Sequence, residues 1–119
     1  MKILVADDES HIVNVIATKL RGAGFEVETA SDGDEALSKA LDLQPDLLIT
    51  DYNMPGRNGV DVCRAWHEQQ PERCRAILLT AKEGQLPLEE VRPFGILTIL
   101  GKPFSPRNLL AVVQEHLPT

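Results

Sequence analysis

The chain has 119 residues, 43% of them hydrophobic, so it has the size of a single domain that can bury its own core without disulfides or a structural metal. Its 12 basic and 18 acidic residues give a net charge of −6 without any run of Lys or Arg, which excludes strong attraction to nucleic acid or an anionic membrane. Cys63 and Cys74 form neither a CxxC nor a Cys/His pattern, so we expect no zinc site, no disulfide framework and a reducing cytoplasm.

Short apolar runs alternate with segments of helical period along the chain, which predicts an α/β domain built around a parallel sheet over residues 1–119. The first run, KILVA at 2–6, is too short for a signal peptide or a membrane span and is expected to be a buried strand. The other predicted strands are FEVET at 25–29, DLLIT at 46–50, AILLT at 76–80 and ILTIL at 96–100.

Three predicted helices follow the first three strands. The buried stripe of the first is Ile12, Ile16 and Leu20, and Gly22 can end that helix. The second is expected to start at Ser31, where Ser-Asp-Gly-Asp resembles a capping box. The third is expected after Gly59.

The last two predicted helices are marked by prolines. The fourth is confined to residues 86–94, because Pro87 can open it and Pro93 must lie at or beyond its end. The fifth begins at Ser105 and Pro106, an N-cap followed by proline at the first helical position.

Two groups of side chains are interpreted as structural. Cys63 and Trp66 lie at helical spacing and are expected in the core. The three histidines share no spacing suited to a metal or to catalysis, and we interpret them as helix-surface residues: His11, His67 and His116.

Reactive side chains follow four of the five predicted strands, where ligands of doubly wound sheets bind. They are Asp7, Asp8, Asp51, Thr80 and Lys102. Carboxylates crowded at one edge raise one another's pKa unless a cation neutralises them, and Mg²⁺ prefers such oxygen ligands. An Asp beside that ion can attack phosphorus, while a lysine and a hydroxyl bind the remaining phosphoryl oxygens.

The sequence around these residues resembles the receiver domain of bacterial response regulators over essentially the whole chain. The resemblance lies in DDE at 7–9, DYNMPGRNG at 51–59, LLTA at 78–81 and GKPF at 101–104. Spacings of 43, 29 and 22 residues between Asp8, Asp51, Thr80 and Lys102 agree with it. It implies a doubly wound, flavodoxin-like fold with five parallel strands in the order 2-1-3-4-5 and about five helices.

The resemblance also implies a metal-dependent phosphoacceptor site. Asp51 would be the phosphoacceptor and one of the metal ligands. Asp8 would bind Mg²⁺ directly, Asp7 partly through water, and Asn53 through its main-chain carbonyl. Mn²⁺ could replace Mg²⁺ in such a site.

Further residues acquire roles from the same resemblance. Thr80 would be the switch hydroxyl and Lys102 the phosphate-binding lysine, followed by a cis peptide bond to Pro103. Lys82 would prolong the phosphorylated state. Ile99 stands where chemotaxis-type receivers usually carry Tyr or Phe, so we expect phosphorylation to be reported by rearrangement of residues 81–97.

The implied role is that of a cytoplasmic signalling domain in a two-component phosphorelay, which catalyses only its own phosphorylation and dephosphorylation. The expected phosphodonor is a histidine kinase or a histidine phosphotransfer protein. The expected recipients of the signal are a downstream protein, an output domain or a second copy of the chain. Direct contact with nucleic acid or membrane is not expected.

Three other functions were weighed against this one. A phosphatase of the haloacid-dehalogenase type needs an acid two residues after its nucleophile, where this chain has Asn53. A flavodoxin-like cofactor binder needs a phosphate loop after the first strand, where the acidic residues 7–9 would repel a phosphate. A receiver that works only as a protein-interaction module, without phosphorylation, stays open.

Overall fold

The computed structural model describes residues 1–81 and 86–117. Over these residues the chain forms one parallel sheet in the order β2-β1-β3-β4-β5. The strands are β1 Lys2–Ala6, β2 Glu26–Ala30, β3 Leu47–Asp51, β4 Ala76–Thr80 and β5 Ile96–Gly101. The predicted five-stranded, doubly wound fold is confirmed.

The strand bounds correct the prediction by one residue at β2 and β3. Each of these strands begins and ends one residue later than its apolar run indicated. As a result Asp51 is the last residue of β3 and is itself buried, instead of standing in the loop that follows.

Helices cover both faces of the sheet, which explains why β3 and β4 are buried along their whole length. The helices are α1 Ser10–Gly22, α2 Gly33–Leu43, α3 Gly59–Gln69, α4 Leu88–Val91 and α5 Pro106–His116. A 3₁₀ turn, Arg92–Phe94, follows α4 directly. Among the helices that the structure describes, none has the length and apolar character that crossing a bilayer requires.

The start of α2 corrects a second prediction. Asp32, not Ser31, is the N-cap, and its side chain accepts a hydrogen bond of 2.7 Å from the main-chain N–H of Glu35. Glu35 in turn accepts a bond of 2.6 Å from the main-chain N–H of Ser31. The N-cap is therefore one residue later than the sequence indicated, and Glu35 holds the main chain of the residue before the cap instead of closing a reciprocal capping box with Asp32.

The other helix boundaries follow their sequence signals. Ser105 caps α5 by accepting from the N–H of Asn108, and Pro106 occupies the first turn. Pro87 is the N-cap of α4, while Pro93 lies in the 3₁₀ turn beyond it, so the α-helical part is a single turn. The prediction of a short fourth helix is confirmed.

Two apolar clusters fill the space between sheet and helices. One joins α2 and α3 to the sheet through residues such as Leu48, Leu78 and Trp66, and the other joins α1 and α5 to the opposite face. Cys63 and Trp66 are fully buried, as predicted, and Cys74 is buried as well, with its thiol 3.2 Å from the carbonyl oxygen of Phe94.

The histidines differ in part from their interpretation as surface residues. His11 is exposed on α1, but His67 and His116 are both half-buried at their helix surfaces. Nδ1 of His67 is shielded from solvent and has no hydrogen-bond partner within the described part of the chain. All three histidines thus lie on helix surfaces, and only His11 among them is exposed.

Candidate functional site

The predicted site residues meet at the carboxyl ends of four neighbouring strands, β1, β3, β4 and β5. Asp7 directly follows β1 and Asp51 ends β3, and these two strands are paired. At the next strand pair, Thr80 at the end of β4 lies opposite Gly101 of β5. The main-chain N–H of Lys102 donates to the Thr80 carbonyl oxygen over 2.8 Å, which turns the lysine toward the site.

Lys102 joins the two buried carboxylates. Its ammonium Nζ lies 2.8 Å from Oδ2 of Asp7 and 3.2 Å from Oδ1 of Asp51. The side chain of Asp7 is fully buried and that of Asp51 is 9% exposed, while the lysine keeps 14% of its side-chain surface in contact with solvent. A cation is thus held between two acids in a largely water-excluded place.

The electrostatics of the site reflect this crowding. Burial raises the pKa of Asp51 above its ordinary value of 3.8, the charge of Asp7 raises it further, and the ammonium of Lys102 offsets part of the rise. Burial lowers the pKa of Lys102, but hydrogen bonds and charges from Asp7 and Asp51 outweigh that effect, so its pKa is raised. The negative charges of the site exceed the positive charge available to them.

Three carboxylates can supply oxygens to one ion. Asp7, Asp8 and Asp51 each offer an oxygen, and these oxygens all lie within 4.8 Å of one another. Asp8 is exposed while the other two are buried, so the cluster is open to solvent on one side. An oxygen-only donor set of this kind fits a hard divalent cation such as Mg²⁺, which keeps several of its waters.

The remaining predicted positions are found around this cluster. Thr80 is buried at the end of β4, and Asn53 is exposed in the loop between β3 and α3. The peptide bond between Lys102 and Pro103 is cis, in agreement with the resemblance. Ile99 is half-buried and packs against the core cluster of α2 and α3. Lys82 lies outside the described residues, as do Glu83, Gly84 and Gln85.

Glu9 is a contributor that the sequence analysis missed. Its carboxylate lies 3.9 Å from Nζ of Lys102, and its main-chain N–H donates over 3.0 Å to Oδ1 of Asp7. The signal was available, since Glu9 is the third acid of the DDE run. Its side chain is 52% exposed, so the main effect of this residue is to hold the Asp7 carboxylate in place.

A doubly wound parallel sheet that carries an acidic cluster and a lysine at its carboxyl edge defines a flavodoxin-like domain. The chain belongs to the response regulator receiver domain family, whose model matches residues 3–114. Receiver domains are signalling domains of two-component systems and generally bind Mg²⁺ at an acidic pocket, and this chain has a cluster of three acids.

Known proteins are similar to this chain over nearly its whole length. It is 40% identical, over 98% of its residues, to the alkaline phosphatase synthesis transcriptional regulatory protein PhoP of Bacillus subtilis. It is 34% identical, again over 98%, to the DNA-binding response regulator MtrA of Mycobacterium tuberculosis. It covers 48% and 50% of these two proteins, so the chain spans about half the length of the curated relatives it matches.

Solved structures of similar length agree with this assignment. The chemotaxis protein CheY4 of Vibrio cholerae superimposes with a TM-score of 0.88 at 37% identity, covering 98% of both chains. The receiver domain of the Francisella response regulator 1452 gives a TM-score of 0.85 at 31% identity, covering 96% of this chain and 93% of that one.

Proposed function

We propose that the chain is a phosphoacceptor receiver domain, which takes a phosphoryl group onto Asp51 in a Mg²⁺-dependent reaction. The observation that carries the proposal is the position of Lys102, whose ammonium lies within 3.2 Å of Asp51 and 2.8 Å of Asp7 at the sheet edge. That cation and the three-carboxylate cluster combine a nucleophile, a phosphate-binding group and metal ligands in one place.

The roles of the residues follow from their chemistry. Asp7, Asp8 and Asp51 would hold the ion together with the main-chain carbonyl of Asn53, and the bound ion shields the phosphoryl charge from the carboxylates. A carboxylate oxygen of Asp51 attacks phosphorus while the phosphorus–nitrogen bond to a histidine of the donor breaks and that nitrogen keeps the electron pair. Lys102 then exchanges its contact with Asp51 for a phosphoryl oxygen.

The phosphodonor that we propose is a histidine kinase or a histidine phosphotransfer protein. An apolar concavity of about 450 Å³ adjoins Lys102, with Ile12, Val15 and Phe104 in its lining. Val15 is 47% exposed although it is a large apolar residue. An apolar surface beside a phosphate-binding lysine suits a protein donor, which docks there and presents its phosphohistidine to Asp51.

The output that we propose is a conformational change of the face formed by β4, α4 and β5, read by a downstream protein, an output domain or a second copy. Ile99 cannot supply an aromatic ring that rotates on activation. Gly95, at φ 84°, and the single turn of α4 instead favour a change of backbone conformation after β4. The names of PhoP and MtrA favour a transcriptional output domain, and the two free cysteines favour the cytoplasm.

Amide exchange tests this output. We expect beryllofluoride with Mg²⁺ to change exchange in residues 86–97, within the predicted segment 81–97, because phosphate contacts at Thr80 and Lys102 pull on both strands that flank α4. Amides of α2, on the other side of the sheet, are the internal control. A change confined to residues 51–59 would contradict the proposed output face.

The phosphoacceptor reaction is tested directly with acetyl phosphate. With Mg²⁺, the intact mass is expected to rise by a single phosphoryl group, and the gain should disappear on treatment with hydroxylamine, which cleaves acyl phosphates. The control is the same incubation with EDTA, where no gain is expected. A chain that binds Mg²⁺ but is not phosphorylated would instead be the interaction module that works without phosphorylation.

A further inference from the structure

The loop between β3 and α3, residues 52–58, carries Asn53 and is held in part by main-chain hydrogen bonds. The main-chain N–H of Tyr52 donates to Leu79 over 2.8 Å, and its carbonyl accepts from Gly59 over 2.8 Å. Farther along, the carbonyl of Pro55 accepts from the main-chain N–H of Gly33 over 3.0 Å. The first two bonds tie the loop to the sheet and α3, and the third ties its centre to α2.

Gly33, the first residue of α2, has no space for a side chain. A Cβ at this position would overlap the carbonyl oxygen of Arg57 and lie 2.7 Å from both its carbonyl carbon and its Cβ. Most of this obstacle is backbone, which cannot rotate away as a flexible side chain could. Gly33 is also buried, so its absent side chain is what lets the loop and the helix touch.

The loop, not the helix, is the partner that would move. The helix is anchored by the hydrogen bonds that the side chains of Asp32 and Glu35 accept at its start. It is also anchored by Ala36 and Ala40, both fully buried in the core. The loop is exposed at Asn53, Pro55, Gly56 and Arg57. Arg57 of the loop forms an ion pair of 3.3 Å with Asp34 of the helix. Because these side chains are 46% and 71% exposed, the ion pair holds the loop only weakly.

We propose that Gly33 is a positioning residue of the metal site: the absence of its side chain lets the Asn53 loop lie against α2, at the distance from Asp7 and Asp8 that a shared ion requires. The inference rests on the proposed function, since it takes the carbonyl of Asn53 as a ligand. According to the proposal, α2 supplies no ligand but influences how tightly the domain binds Mg²⁺.

Gly33→Ala tests the inference by Mg²⁺ affinity alone, measured by calorimetric titration of the whole chain. We expect affinity to fall about 10- to 100-fold, the loss usual when a residue that supports a metal ligand is changed. Gly22→Ala is the matched control, because a Cβ at Gly22 meets nothing within 4 Å, and it should stay within about twofold of the unchanged chain. Asp8→Ala removes a proposed ligand and therefore shows how far the Mg²⁺ affinity falls when a ligand is lost.

A second measurement needs no variant. By reciprocity, Mg²⁺ binding should stabilise the loop contact, so exchange of the Gly33 amide should slow in the ion's presence while that of Ala40 in the same helix stays unchanged. The inference is overturned if the Mg²⁺ affinity of Gly33→Ala lies within about twofold of that of the unchanged chain. If Gly33→Ala does not fold in EDTA, the amide exchange of the unchanged chain decides instead. In that case, exchange of the Gly33 amide that Mg²⁺ leaves unaffected overturns the inference. A chain that binds no Mg²⁺ at all contradicts the proposed function itself.

Discussion

Asp51→Asn is expected to abolish the phosphoryl gain from acetyl phosphate and Mg²⁺, because an uncharged amide has neither the nucleophilic oxygen nor the charge of the carboxylate. Asp51 is buried at the end of β3, and its Oδ1 lies 3.2 Å from Nζ of Lys102. The measurement is intact mass after a fixed incubation. Asp42→Asn, an exposed acid on α2, is the matched control and should be phosphorylated normally.

Loss of folding is not expected to explain that result. Because the pKa of Asp51 is raised in the fold, its contribution to stability is complete below 3.8 and is lost as the pH rises through the raised value. At pH 7 without metal, the ionised carboxylate is therefore unfavourable, and Asp51→Asn should be at least as stable as the unchanged chain. A phosphoryl group still found on folded Asp51→Asn would show that the acceptor lies elsewhere.

Lys102→Met is expected to lower the free energy of unfolding of the metal-free domain by about 3–5 kcal/mol, the usual cost of removing one partner from a buried ion pair. Asp7 would be left fully buried with its strongest partner gone, and Asp51 would lose the contact that offsets its burial. Methionine keeps the length and the apolar stem of lysine, so the change isolates the ammonium.

Urea unfolding at pH 7 in EDTA measures this loss. The deficit should shrink in acid, since protonated carboxyls no longer need a cation beside them. Lys19→Met, at an exposed position on α1, is the control and should stay within about 0.5 kcal/mol. Equal stability of Lys102→Met and the unchanged chain at pH 7 would mean that the contacts of Lys102 do not stabilise the fold.

Most of the fold could be predicted because its signals are local. Buried parallel strands require continuous apolar runs, so β1, β4 and the start of β5 were located to the residue. Proline and a capping serine likewise located the start of α5. At α2, Ser31 and Asp32 are both good caps, and the choice between them depends on where the preceding strand ends.

The sequence could predict which side chains lie in the site, but not their contacts or their burial. Topology brings strand ends together, so Asp7, Asp51 and Lys102 were expected to be neighbours. That Lys102 binds Asp7 more closely than Asp51, and that Asp51 is buried within β3, depends on packing. The contact of Gly33 with Arg57 joins the first residue of α2 to the loop between β3 and α3, and no periodicity or motif in the sequence predicts such a contact.

The position of β2 has a consequence for how copies of this domain behave in concentrated solution. It is an outer strand of the sheet, paired only with β1 among the described strands, so one side of its backbone is open to another strand. Glu26 and Glu28 are exposed on it, on either side of buried Val27. If the β2 strands of two copies paired edge to edge, these like charges would come together. The side chains of β2 therefore protect its open edge against fibril-like aggregation.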